Sequence, residues 1–123
     1  MSDLIYKNTT GKIIGAAFEV YTNLGYGFLE KVYENALIKE LQIRGLDFKS
    51  QYPIKVNYKG EEVGEYIADI LVENKIIVEL KTGKTINSFH EAQLLNYLKA
   101  TGIKVGLLIN FGPKKCEFKR FIF

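Results

Sequence analysis

At Phe48 the spacing of the apolar residues changes from about 3.6 to two, which restricts the chain to helices followed by sheet. Ahead of that point Ile13, Ile14, Ala17, Phe18 and Tyr21 share one helical face. Gly25-Tyr26-Gly27 interrupts the pattern, and Leu29, Val32, Tyr33, Ala36, Leu37 and Leu41 resume it until Gly45. The spacing predicts helices over about 10–22 and 28–44, the first with Thr9 or Thr10 available as its cap. Beyond Phe48, Ile54, Val56 and Tyr58 alternate with Lys55, Asn57 and Lys59, and Lys59-Gly60-Glu61 makes a turn. The β-branched runs Tyr66 to Val72 and Ile76 to Lys81, joined by Glu73-Asn74-Lys75, read as an antiparallel hairpin.

Ser88-Phe89-His90-Glu91 has the spacing of a capping box and opens a third helix over about 89–101, closed by Gly102. Val105 to Asn110 then reads as a buried strand and Glu117 to Phe123 as an edge strand. The order α-α-β-β-β-α-β-β predicts an α/β fold of the mixed α+β kind, with helices packed on a mixed sheet. A chain of 123 residues without repeat or linker is expected to be one domain over 1–123.

Acidic residues at Glu19, Glu30, Glu40, Asp69, Glu79 and Glu91 break every apolar stretch well short of the roughly 20 residues that span a bilayer. With Asp3 near the start and no basic segment ahead of an apolar run, no secretory signal is read, and a cytoplasmic location is expected. The single Cys116 cannot form an intrachain disulfide and is expected to be buried as a small hydrophobe. Residues 1–98 carry 11 basic and 13 acidic groups, whereas residues 99–123 carry six basic groups and only Glu117 against them. Such an end suits a polyanion, or a lysine-rich edge strand that resists aggregation.

The chemistry concentrates in Asp69, Glu79 and Lys81. Residues two apart on a strand point the same way, so Glu79 and Lys81 project together and Leu80 enters the opposite side. A hairpin symmetric about Asn74 sets Asp69 opposite Glu79; a two-residue turn would set it opposite Val78. Two facing carboxylates repel unless a proton or cation mediates, and oxygen ligands with water and phosphate oxygens suit Mg²⁺. Lys81 alongside can meet negative charge on a phosphate. The competing reading is an exposed ion-pair stripe, worth about 0–1 kcal/mol. Zinc-protease, serine-hydrolase, Walker and dinucleotide motifs are absent, and a chain without Trp lacks the usual sugar-cleft aromatics.

Gly27-Phe28-Leu29-Glu30-Lys31-Val32-Tyr33 resembles the G-x-x-E-x-x-Y signature of the GxxExxY family, a branch of the PD-(D/E)XK nuclease superfamily. Ala68-Asp69, Glu79-Leu80-Lys81 and Gln93-Leu94-Leu95-Asn96-Tyr97 are similar to that superfamily's successive motifs, the last in the style of its RecB-like members. The likeness runs from about Lys12 to Phe111; one departure is Ile67, where such members often carry arginine. The resemblance implies a restriction-endonuclease-like core of about five strands and three helices, and metal-dependent cleavage of nucleic acid, most often DNA. It makes Asp69, Glu79 and Glu30 ligands of Mg²⁺ or Mn²⁺ and Lys81 the catalytic lysine, with Gln93 and Tyr97 flanking the site. His90, Gln93 and Tyr97 share one stripe of the third helix, while Tyr33 also suits plain core packing. A short, mildly basic chain with few insertions also fits a nuclease-fold module of little turnover that binds nucleic acid or a partner protein, or forms a homodimer.

Overall fold

The computed structural model describes residues 5–123; Asp3 and the rest of the first four residues lie outside the described part. Two helices, α1 (Lys7–Leu24) and α2 (Glu30–Ile43), precede strands β1 (Phe48–Tyr58), β2 (Glu61–Val72) and β3 (Ile76–Lys81). Helix α3 (Ser88–Thr101) leads to β4 (Val105–Phe111) and β5 (Cys116–Ile122). The five strands lie in the order β1-β2-β3-β4-β5, with β3 and β4 parallel across the α3 connection and the other neighbours antiparallel. This is the mixed sheet with three helices that the apolar periods require.

The sheet separates two apolar layers. On one face Ile13, Ala17 and Val20 of α1 and Tyr33, Leu37 and Leu41 of α2 pack against Val78, Leu80, Leu107 and Ile109. On the other, Leu94, Tyr97 and Leu98 of α3 pack against Ile77, Leu108 and Ile54. Every residue of β4 is buried, as a central strand covered on both faces must be. Gly106 lets α3 settle closely, because a Cβ there would meet Leu94 at 3.0 Å. Among the described residues no helix is long and apolar enough to cross a membrane. Cys116 is buried beside this core, and burial, with Glu117 next to it, pushes its thiol up to about 11.

Two expected caps are corrected. Helix α1 begins at Lys7 after Tyr6 in a left-handed conformation, and the Thr10 hydroxyl donates to the Lys7 carbonyl instead of capping the start. At α3 the cap is Asn87, whose Oδ1 accepts from the His90 N–H at 2.9 Å, so Ser88 is already helical. The supposed reciprocal partner, Glu91, is drawn instead to Lys119, 3.1 Å away on β5. Of the six basic groups at the C-terminal end, Lys119 and Arg120 lie on the edge strand β5, and part of the charge is paired: Lys119 with Glu91, and Lys115 with Glu117 at 3.9 Å.

Candidate active site

The β2–β3 turn decides the register. Glu73 and Asn74 both take positive φ, and the Lys75 N–H donates to the Val72 carbonyl at 3.0 Å, as a turn with two left-handed central residues requires. Val72 then pairs with Ile76, Leu71 with Ile77 and Ile70 with Val78. Counting one pair outward brings Asp69 opposite Glu79, the symmetric alternative of the two open in the sequence. There the backbone ladder ends and side chains take it over. Glu79 Oε1 accepts from the Asp69 N–H at 2.9 Å, and Asp69 Oδ2 accepts from the Leu80 N–H at 2.8 Å.

A second irregularity lies on the other side of Asp69. Tyr52, Ile54 and Ala68 pack on the α3 face, whereas Phe48, Ile70 and Val72 pack on the α1/α2 face, so the alternation of both β1 and β2 reverses between them. Gln51, which falls opposite Asp69, has φ 55°, an uncommon conformation for a residue with a Cβ. Its amide Nε2 donates to both oxygens of Glu34 at 3.0 Å, and Lys31 Nζ meets the same carboxylate at 3.0 Å. Glu34 is buried at 4% exposure. Neither Glu34 nor Gln51 was singled out in the sequence; Glu34 was detectable as the residue one turn after Glu30, but the left-handed Gln51 left no sequence signal.

The groups named from sequence gather around this break. Glu30 opens α2, where burial and the repulsion of Asp69 raise its carboxyl, with Lys81 opposing. Burial also raises Asp69, against the stabilising Leu80 N–H. Glu79, 4% exposed, is pushed up to about 8 by burial first and by Asp69 second. Two like charges here share one proton far more easily than they carry two charges. Lys81 lies on the same face as Glu79, two residues along β3, and from α3 Gln93 Oε1 accepts a long hydrogen bond from its Nζ at 3.4 Å. Tyr97 is buried with its ring 5.7 Å from that of Tyr66; burial and the negative field of Glu79 and Asp69 push its hydroxyl up to about 12. His90 is half-buried, its Nδ1 makes no hydrogen bond, and burial with nearby Lys81 holds its pKa down.

Tyr33 belongs to the core. Its ring stacks on Phe111 at 4.4 Å and its hydroxyl donates to the Gly25 carbonyl at 2.5 Å, tying the Gly25–Gly27 loop to the start of α2. The loop after Lys81 is tied down too: buried Asn110 accepts from the Gly83 N–H at 2.9 Å and donates back to the Gly83 carbonyl at 3.0 Å.

A family model of the PD-(D/E)XK nuclease superfamily matches residues 7–121. The chain belongs to the PD-(D/E)XK nuclease superfamily. Among solved structures, one titled "Crystal structure of SSO0001" aligns with a TM-score of 0.60 at 18% identity, over 75% of this chain and 48% of that one. The present chain thus spans about half the length of that structure, and the likeness is one of fold. No curated protein matches the sequence.

The donor chemistry fits a hard divalent cation. Asp69 and Glu79 offer oxygen ligands only, side by side, and burial with mutual repulsion makes a nearby positive charge favourable. Among the described residues, however, no three acidic, imidazole or thiol groups converge into a ready-made cage. Two carboxylates completed by water and substrate oxygens are the arrangement Mg²⁺ tolerates best.

Proposed function

We propose that this chain, as one domain over 1–123, is a Mg²⁺- or Mn²⁺-dependent nuclease that hydrolyses phosphodiester bonds, with DNA as its substrate. We place it in the GxxExxY family of the RecB-like branch and in the cytoplasm. One observation carries the reading: Asp69 and Glu79 face each other where the β2–β3 ladder stops, with Lys81 on the same face. The family assignment supports it.

Asp69 and Glu79 hold the cation, with Glu30 as a further oxygen donor from α2. When bound there, such a cation would supply Lewis-acid polarisation of the phosphoryl oxygens and would favour the ionised form of a nearby water. Lys81 presents its ammonium to the charge that grows on the phosphoryl oxygens as the new water–phosphorus bond forms and one ester bond breaks. Gln93 keeps that ammonium from swinging away, and Tyr97 walls the site on the α3 side. The test is incubation of the protein and its Asp69→Ala and Lys81→Ala variants with single- and double-stranded DNA and RNA in Mg²⁺ or Mn²⁺. Cleavage confined to the unmodified protein supports the assignment, and equal cleavage by all three overturns it.

A second reading has its own support. One oxygen of each carboxylate already accepts a backbone N–H, and the three acids do not form a finished cage, which suits a nuclease-fold module that binds nucleic acid, a partner protein or a second copy with little turnover. Calorimetric titration with Mn²⁺ separates the two. Binding lost in Glu79→Ala favours the enzyme, and nucleic-acid binding without metal binding favours the module.

A further inference from the structure

Strand β2 pairs with β1 from Glu61 to Val72 but with β3 only from Ile70 to Val72. The outer parts of β1 and β2 therefore extend past β3 as a two-stranded arm, and Tyr66 on that arm meets Tyr97 of α3. Between arm and helix lies a cleft of about 600 Å³, within the range of pockets that hold small ligands. Along α3 the cleft follows positions 89, 92, 93, 96, 97 and 100, one helical face, with Ala92 and Ala100 keeping it open.

The lining has a definite chemistry. Tyr66 and Phe89 are 51% and 71% exposed, so their rings offer free faces and are not accounted for by the core. Asn57, Asn96 and Gln93 bring amides that both donate and accept, and Lys99 is the one charged residue among the lining groups. Flat apolar faces, neutral two-way hydrogen bonding and a cation match a nucleobase on an anionic backbone. They match an acidic or cationic peptide, or a lipid chain, poorly. The cleft is also continuous with the acidic site, because Gln93 and Tyr97 border both: Gln93 holds Lys81, and Tyr97 lies within the field of Asp69 and Glu79.

We propose that this cleft receives the base of a nucleotide next to the phosphate presented to Asp69, Glu79 and Lys81, so that the chain engages a single strand or an unstacked end rather than intact duplex. This deepens the nuclease reading and rests on it for the neighbouring phosphate. A base paired within a duplex is stacked on both sides and cannot enter a side cleft without being unstacked. Phe89 and Tyr66 would be the stacking residues, and the amides would hold the base edge.

The test uses a fluorescently labelled octadeoxynucleotide, its duplex, and a series of the same strand with one abasic position. Binding is read by anisotropy in EDTA and cleavage separately in Mg²⁺. Single strand is expected to bind at least tenfold more tightly than duplex. Phe89→Ala and Tyr66→Ala should each weaken single-strand binding about tenfold. Phe89→Trp should retain it. One abasic position should cost the unmodified protein a similar factor and cost Phe89→Ala little, since the stacking partner is already gone. Circular dichroism melts verify that these exposed positions leave the fold intact. Single-strand affinity that is unchanged in both folded alanine variants, or equal to duplex affinity, overturns the base site. Cleavage by the unmodified protein in that case leaves the nuclease reading standing. Aromatic-dependent binding with no cleavage overturns the nuclease reading and keeps the base site, and failure to bind any strand overturns the base site as well.

Discussion

On one side β3 runs parallel to β4 through six consecutive pairs, from Ile76 with Val105 to Lys81 with Asn110; on the other it meets β2 for three pairs before carboxylates replace the ladder. The continuous side consumes its backbone polar groups in regular hydrogen bonds, and every residue of β4 along it is buried in packing. β4 holds the sheet and contributes no acidic or basic side chain, so the chemistry of β3 is left to its own Glu79 and Lys81. The interrupted side keeps Asp69 and Glu79 together at the cost of repulsion and desolvation, a cost tolerated because the continuous side supplies the stability. If that division holds, substitutions on the two sides should move different observables.

The largest effect is expected on the continuous side. Phe111→Ala removes a fully buried ring stacked on Tyr33 and should cost about 3–5 kcal/mol in urea unfolding. Lys81→Met, in the acidic site, should lower kcat by about 10²–10³-fold while stability changes by less than about 1 kcal/mol. Comparable activity loss in the two variants, after correction for the folded fraction, would erase the contrast.

The acid pair gives a pH signature of the same contrast. Glu79 in the fold titrates near 8, above its ordinary 4.5, so the folded state binds the extra proton between those values. The stability it contributes is complete below 4.5 and is lost as pH rises through 8. Without divalent cations the melting temperature should therefore fall as pH is raised from about 5 to 9, and Glu79→Gln should flatten the profile and exceed the unmodified protein in stability at the alkaline end. Adding millimolar Mg²⁺ near pH 8 should recover a few degrees in the unmodified protein and none in Asp69→Ala, because a ligand that prefers the folded state stabilises it. The smallest effect belongs to the rim: Lys119→Ala, which breaks a solvent-facing pair with Glu91, should change stability by no more than about 1 kcal/mol.

The features legible in the sequence were those that rest on short-range rules. The change of period placed α1, α2 and the strands, though α1 starts three residues before its expected beginning because a left-handed Tyr6, not a threonine cap, introduces it. The three-residue connection Glu73-Asn74-Lys75 determined which residue faces Glu79, and the register follows from counting outward from it. The α3 cap lies one residue before the Ser88 of the capping-box spacing: Asn87 and Ser88 are both good capping residues, and in the fold Asn87 takes the His90 N–H while Glu91 pairs with Lys119.

Sequence alone determined that helices precede a mixed sheet, that Asp69 and Glu79 share a hairpin, and that Glu79 and Lys81 share a face, because period and strand alternation act between near neighbours. Tertiary structure decided the rest. Gln51 turns left-handed opposite Asp69 and donates to buried Glu34 of α2, and the β1–β2 arm stands off β3 to open a cleft against α3. Those features depend on groups 17 or more residues apart in the chain meeting in space, and no local pattern encodes which distant partner will satisfy a buried carboxylate.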